Sequence, residues 1–172
     1  LSGVQCRPVP QLALLLTTVI WAATFPATKL ALEQVLPFSF LFLRFLFGTL
    51  AVGLVFACVG QMLRRDAATL RMAAIASLFL FIGYAAQTVG LRYTTASNSA
   101  FITALYVVLV PLFLRRFDGR LWAALALAVA GLWLLIRPSA EMNAGDLYTL
   151  AGAVAFALHI IMVEAYTWRS DI

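Results

Sequence analysis

The sequence predicts an all-α, polytopic membrane protein with six transmembrane helices. Hydrophobic residues make up 64% of the 172 residues, and charged residues make up only 11%. A soluble globule of this length cannot bury so much apolar surface. The apolar residues also fall into six runs, and the short polar segments between the runs hold most of the arginines. These features are typical of a chain that is surrounded by a lipid bilayer.

The first three runs are each long enough to cross a hydrocarbon core about 30 Å thick, because a helix rises about 1.5 Å per residue. They cover residues 11–32, 37–59 and 72–91. A cleaved signal peptide is the alternative interpretation of the first run. However, that run is long, Lys29 closes it, and no small-x-small cleavage site follows it. The basic loop with Arg64 and Arg65 separates the second run from the third.

The other three runs cover residues 98–114, 121–136 and 147–166. Pro111 lies near the end of the fourth run, where we expect it to bend the last turns because proline lacks the backbone N–H. The fifth run is short, and a polar connector over residues 137–146 leads into the sixth. The sequence contains no linker and no soluble domain between the runs.

Basic residues are distributed unequally between the two sides of the membrane. With six crossings and a cytosolic N-terminus, eight arginines face the cytosol and three basic residues face outward. The cytosolic set is Arg7, Arg64, Arg65, Arg71, Arg115, Arg116, Arg120 and Arg169, and the outer set is Lys29, Arg92 and Arg137. This bias predicts a cytosolic N-terminus and argues against insertion in both directions. We expect an integral protein of the bacterial inner (plasma) membrane.

The composition and motifs also argue against several classes of function. The net charge of +5 comes from arginines between apolar runs, so it reflects topology and not nucleic-acid binding. The single histidine and the absence of a Cys/His cluster predict no metal site, and no cofactor is expected. Cys6 and Cys58 both lie near cytosolic ends, so no disulfide is expected. Paired intramembrane aspartates, an HExxH motif and a serine with a basic partner are all missing, so the sequence does not predict an enzyme.

The segment 81–111 predicts a helical hairpin with one polar or small face on each arm. The residues at helical spacing are Gly83, Gln87 and Gly90 on the first arm and Ser99, Thr103 and Tyr106 on the second. Such faces turn toward other helices or a watery cavity, because an unpartnered polar group in hydrocarbon costs several kcal/mol. Gln87, Thr103 and Tyr106 are therefore candidate solute-binding residues, and interhelical packing is the alternative.

A second polar stripe lies on the first run, where Thr17, Trp21, Thr24 and Thr28 share a helical face. This stripe either faces a ligand or packs against another helix through small residues and self-bonded hydroxyls. Trp21 is the member that favours function, because tryptophan normally prefers the membrane interface to the middle.

Two ionisable residues lie inside runs and are candidates for the same site. Arg44 is about 10 Å from the start of its run, where it either has a pocket or buried structural role or snorkels to the surface. His159 is near mid-depth in the sixth run, on a stripe with Thr149, Gly152 and Phe156. It either relays a proton or holds an anion, or it is a neutral histidine bonded to a neighbouring helix.

Several short motifs together resemble the drug/metabolite transporter superfamily, and specifically its EamA-type permeases. They are Trp21 to Phe25 followed by Lys29 to Ala31, then Leu43 to Phe45, Gln87 to Tyr93, Thr95 to Ser97, Val110 with Pro111, Gly131 to Leu135, Gly145 to Leu147, and Ala155 to Leu158. The resemblance spans nearly the whole chain. It implies two inverted five-helix repeats with the solute site between them.

The resemblance assigns residues 11–137 to the first five-helix repeat and 145–166 to the first helix of a second, incomplete repeat. We therefore expect a fragment, or a short form that assembles with a partner chain supplying the missing helices. The resemblance implies a permease. Because the sequence contains no ATP-binding motif, we expect secondary, non-ATP transport of a small-molecule solute, a polar metabolite, by alternating access and in the outward direction. A non-transporting small membrane subunit that packs against a partner membrane protein is the alternative.

Overall fold

The computed structural model describes residues 8–60, 66–138 and 141–170. These residues form seven α-helices and no strand. The helices are α1 (Pro8–Ala31), α2 (Pro37–Val59), α3 (Ala67–Tyr93), α4 (Ala96–Ala104), α5 (Tyr106–Phe113), α6 (Gly119–Ile136) and α7 (Ala144–Ser170). Because α4 and α5 together make one span, Ala96–Phe113, the described residues contain six helices long and apolar enough to cross a membrane. The predicted all-α fold with six membrane-spanning helices is confirmed.

Local capping chemistry ends the helices at the polar breaks in the sequence. Asp66 accepts a hydrogen bond from the Thr69 N–H at 2.9 Å and so begins α3. Asp118 accepts from the Arg120 N–H at 3.1 Å and begins α6 in the same way. Gly60 closes α2 with a φ of 69°, a left-handed conformation that glycine adopts without steric cost. Because Asp66 caps it, α3 starts at Ala67, five residues before the predicted run begins at residue 72.

The fourth span is interrupted at Leu105, six residues before Pro111. The Leu105 N–H donates to the Ile102 carbonyl at 3.2 Å, and the Leu105 carbonyl accepts from Val108 at 2.9 Å. These are i to i+3 bonds, which tighten the helix locally. Pro111 lies inside α5, so the interruption of this span is not at the predicted position near the proline.

Helices α3 and α7 form the most extensive helix interface in the described part of the chain, and glycines allow their backbones to approach closely. A Cβ atom added to Gly90 would lie 2.6 Å from the Gly145 carbonyl oxygen. One added to Gly152 would lie 2.9 Å from the Gly83 carbonyl oxygen. Neither site has room for a larger residue unless the helices shift.

The α3–α7 contacts repeat every seven residues along an antiparallel pair. Successive layers are Gly90 with Gly145, Gly83 with Gly152, Ala76 with His159, and Thr69 with Tyr166. A seven-residue repeat keeps one face of each helix toward its partner in a left-handed pair. The central helix α7 is therefore held along most of its length.

The outer helices leave large apolar surfaces uncovered. Helix α2 packs against α3, α6 packs against α4, and α1 packs against α4 and α3. Phe42 and Phe47 on α2 are 66% and 65% exposed. Since water would penalise such surfaces, this exposure fits an integral membrane protein with hydrocarbon as its solvent. Cys58 is a free, exposed thiol, and Cys6 lies outside the described residues.

Candidate functional site

A buried polar seam joins α3, α4 and α7. The Gln87 Nε2 donates to the Thr103 Oγ1 at 2.9 Å, and the two residues are 8% and 2% exposed. Next to them the hydroxyls of Ser99 and Thr149 lie 3.4 Å apart. Gln87 and Thr103, two of the predicted site residues, are thus brought together. Their mutual bond also agrees with a packing role, so their part in solute binding stays a prediction.

Tyr106 and Trp21 are also brought together by the fold. Their rings stack with centroids 6.2 Å apart and an interplanar angle of 30°. They line a cavity of about 340 Å³ that is bounded by α1, α4, α5 and α6, and Thr103 belongs to the same wall. None of the described residues that line it is charged. The cavity has the size of a small-molecule site, with a mostly apolar wall and a few polar groups.

The threonines of the predicted α1 stripe do not serve the cavity. The Thr17 hydroxyl donates to the Ala13 carbonyl at 2.8 Å, and the Thr24 hydroxyl donates to the Trp21 carbonyl at 2.6 Å. These bonds follow the alternative interpretation, in which hydroxyls bond back to their own helix.

The cavity face of α1 is a neighbouring stripe made of Thr18, Trp21, Ala22 and Phe25. Its spacing of i, i+3, i+4 and i+7 is visible in the sequence. Sequence reasoning missed Thr18 because two overlapping stripes share Trp21.

Arg44 is half-buried and turns toward α3. Its guanidinium carbon lies 4.4 Å from the centroid of the Tyr84 ring. Tyr84 in turn makes edge-on contacts with Phe45 at 5.7 Å and Phe156 at 5.1 Å. The contact with Tyr84 agrees with a structural role as well as with a pocket, so a role for Arg44 in solute binding stays a prediction. The structure does not bring Arg44 to the wall of the Trp21–Tyr106 cavity, whose residues come from other helices.

His159 lies in the α3–α7 interface and not at the cavity. Its Nδ1 is 2.8 Å from the Ala76 carbonyl oxygen. A carbonyl only accepts hydrogen bonds, so the Nδ1 carries the proton in this contact. The contact corresponds to the alternative of a histidine bonded to a neighbouring helix, and a role for His159 in solute binding stays a prediction.

A cluster that sequence reasoning missed joins the ends of α1 and α3 to the start of α7. The Lys29 Nζ donates to the carbonyls of Leu91 at 2.7 Å and Thr94 at 2.8 Å, and to that of Arg92 at 3.2 Å. The Thr94 hydroxyl donates to the Asp146 carboxylate at 2.5 Å, and Asp146 is only 2% exposed. A cation at the end of a helix binds carbonyls that have no partner within the helix. The sequence shows a lysine at the end of the first run, but it does not show which helix that lysine contacts.

The described residues contain no group of three or more histidine, cysteine, aspartate or glutamate side chains that could hold a metal ion. The described residues offer hydrogen bonding, aromatic contact, an intramembrane guanidinium and the cluster of Lys29, Thr94 and Asp146.

Six helices that are long and apolar enough to span a membrane, with large exposed apolar surfaces, define a helical integral membrane protein. Residues 10–137 match the EamA-like transporter family, and the chain belongs to that family. This family and the relatives described below are all named as transporters.

Two curated relatives come from Archaeoglobus fulgidus, and each is described as an uncharacterized transporter. One is 37% identical over 175 residues, covering 99% of this chain and 53% of the relative. The other is 29% identical over 161 residues, covering 91% of this chain and 54% of the relative. The chain thus spans about half the length of the curated relatives it matches. No solved structure gives a significant match.

Proposed function

We propose that this chain is part of a secondary transporter that moves a small polar metabolite outward across the membrane by alternating access. Membership of the EamA-like transporter family supports transport in general. The single observation that carries the proposal is the cavity of about 340 Å³ with Trp21, Thr103 and Tyr106 on its wall. The cavity opens between α1, α4, α5 and α6 and presents aromatic faces and the Thr103 hydroxyl, which suits the orientation of a small solute.

We also propose that residues 11–137 are one repeat and 145–166 the first helix of a second repeat. The relatives are about twice as long, which leaves room for further helices. The close glycine contacts between α3 and α7 support docking of a second repeat onto the first through its first helix. Further helices, or a partner chain, would complete the wall of the solute path.

The N-terminus is proposed to be cytosolic, in a bacterial inner membrane. Arg116 forms an ion pair with Glu164 at 3.0 Å, so the end of α5 and the end of α7 lie on one side of the membrane. The start of α3 also lies on this side, because Thr69 contacts Tyr166 near the end of α7. Lys29 contacts the other end of α3, on the opposite side of the membrane. Arg71, Arg115, Arg116 and Arg120 are at the proposed cytosolic end, whereas Arg7, Arg64 and Arg65 lie outside the described residues, as does the side chain of Arg169.

The test is a flux assay on the full-length protein in lipid vesicles loaded with a bacterial metabolite mixture. Release of individual metabolites is measured by mass spectrometry for wild type, Trp21→Ala and Tyr106→Ala. Phe47→Ala is the matched control, because Phe47 is an exposed aromatic residue on α2. We expect the two cavity variants to lower release of one metabolite class by about tenfold, since a loss of roughly 1.4 kcal/mol of interaction is a tenfold effect. Phe47→Ala should release it like wild type.

Equal release from protein-free and protein-containing vesicles would contradict transport and would favour the non-transporting subunit. Release that is intact in both cavity variants would remove Trp21 and Tyr106 from the solute path while leaving transport in place.

A further inference from the structure

Arg44 lies well inside the membrane-spanning helix α2. Helix α2 begins at Pro37, so Arg44 lies about 10 Å along the helix from that end. Its guanidinium covers Tyr84, which is about 14 Å along α3 from Tyr93. These two helix ends share one side of the membrane, because Lys29 near the end of α1 bonds to the end of α3 and a short turn joins α1 to α2. The guanidinium is therefore directed away from this end of α2 and toward the middle of the span.

The surrounding aromatic rings fix this position. Tyr84 is edge-on to Phe45 of α2 and to Phe156 of α7, with centroids 5.7 and 5.1 Å away. Phe156 is only 6% exposed. The Tyr84 ring therefore has little freedom to turn, and the guanidinium has a firm aromatic support. A cation–π contact offsets only part of the cost of a charge in hydrocarbon.

The described helices supply no carboxylate for this guanidinium. Helices α2 and α3 contain no acidic residue, and Glu33, in the turn between α1 and α2, is exposed. On α7, Asp146 accepts from Thr94 and from the Asn143 N–H, and Glu164 pairs with Arg116. Arg44 therefore offers N–H donors in a fork that suits an oxyanion.

We propose that Arg44 binds an oxyanion, a carboxylate or a phosphate, that belongs to the transported solute. This inference rests on the transport function proposed above and narrows its solute class to anions. Tyr84 is one helical turn from Gln87, so the cation lies close along α3 to the Gln87–Thr103 pair. A lipid phosphate is the other source of the same chemical group.

The experiment measures binding to the purified full-length protein in an uncharged detergent without added phospholipid. The probes are acetate, benzoate and inorganic phosphate, with acetamide and benzamide as neutral counterparts of the first two. Binding is followed by the rise in thermal midpoint with probe concentration. We expect an oxyanion to bind and its neutral counterpart not to bind. Arg44→Gln should weaken the binding of the oxyanion by about tenfold or more, because a charged hydrogen bond is lost.

Two further variants keep the result interpretable. Arg44→Lys preserves the charge without the fork and should bind the oxyanion with intermediate affinity. Arg92→Gln removes an exposed arginine and should bind like wild type. Absence of oxyanion binding in wild type, or equal binding in wild type and Arg44→Gln, would overturn the inference.

Two further measurements separate a solute from a lipid headgroup as the source of the oxyanion, and separate the anion assignment from the transport proposal. If only added phosphatidylglycerol raises the midpoint in an Arg44-dependent way, the anion is a lipid headgroup and the solute assignment is wrong. In the vesicle assay, a released solute that oxyanions do not inhibit and that Arg44→Gln releases normally would overturn the anion assignment alone. Failure of wild type to release any solute would overturn the transport proposal itself.

Discussion

Lys29 joins α1 to α3, and Thr94 extends this contact to α7. The Lys29 ammonium group binds three carbonyls at the end of α3, and the hydroxyl of Thr94 continues the contact to the buried carboxylate of Asp146. Leu91 and Thr94 are buried, and buried helix-end carbonyls need such partners. The cluster therefore stabilises the relative positions of α1, α3 and α7.

Replacing Lys29 by methionine is expected to lower the free energy of unfolding by about 2 kcal/mol, the usual worth of a hydrogen bond to a charged group. The measurement is the thermal midpoint of the full-length protein in detergent. Arg92→Met is the matched control, since Arg92 is at the same end of α3 and its side chain is exposed. Equal midpoints for the two variants would show that the ammonium contacts do not stabilise the fold.

Residue roles were only partly predictable from the sequence. Helical spacing identified Gln87, Thr103, Tyr106 and Trp21 as inward candidates, and the structure brings them together in two neighbouring pairs. Spacing alone did not show that Thr18, and not Thr17, lines the cavity. Spacing shows which residues share a helix face, but not which other helix that face contacts. The partners of Lys29 and His159 depend on residues more than sixty positions away, so no local pattern contains them.

At the scale of elements, the glycines of α3 and α7 set how closely these helices approach. Gly90 faces backbone atoms of α7, whereas Gly83 faces the ring of Phe156. Gly131 on α6 has open space where its Cβ atom would lie. The three positions therefore form a graded series within one protein.

Alanine substitutions along this series should separate close packing from helix propensity. Gly90→Ala is expected to lower the free energy of unfolding by about 1–3 kcal/mol, because the opposing backbone cannot move without displacing α7. Gly83→Ala should cost less, since a side chain can adjust, and Gly131→Ala should be neutral or slightly stabilising. Thermal midpoints of the three variants are the measurement. A Gly90→Ala protein as stable as Gly131→Ala would contradict the close α3–α7 contact.

The extents of the elements followed from hydropathy where polar residues flank them. The predicted run 37–59 coincides with α2, because a proline begins it and a left-handed glycine ends it. The break at Leu105 was not predictable, since it lies in an apolar stretch and arises from a local change in hydrogen bonding.

At the scale of the whole molecule, apolar content and run length were sufficient to predict six spans, because a bilayer restricts the chain to helices of nearly fixed length. They were not sufficient to predict which helix is central. The central position of α7 depends on seven-residue matching with α3, a relation between two segments whose members are 55 to 97 residues apart.

Orientation in the membrane can be tested with a single cysteine placed at either of two exposed alanine positions, which lie at opposite ends of the α3–α7 pair. Ala68 and Ala144 are both exposed, near the start of α3 and at the start of α7. In a full-length protein without Cys6 and Cys58, Ala144→Cys should react with a membrane-impermeant thiol reagent in intact cells. Ala68→Cys should react only after permeabilisation, because the arginine-rich ends are retained in the cytosol.

The paired design makes each outcome informative about the charge argument. Both cysteines lie at ends of one antiparallel helix pair, so the fold requires them to be on opposite sides whatever the orientation. Labelling of Ala68→Cys alone in intact cells would reverse the orientation and contradict the predicted effect of the arginines. Labelling of both in intact cells would indicate insertion in both directions, in which case the excess of basic residues at one end would not control topology.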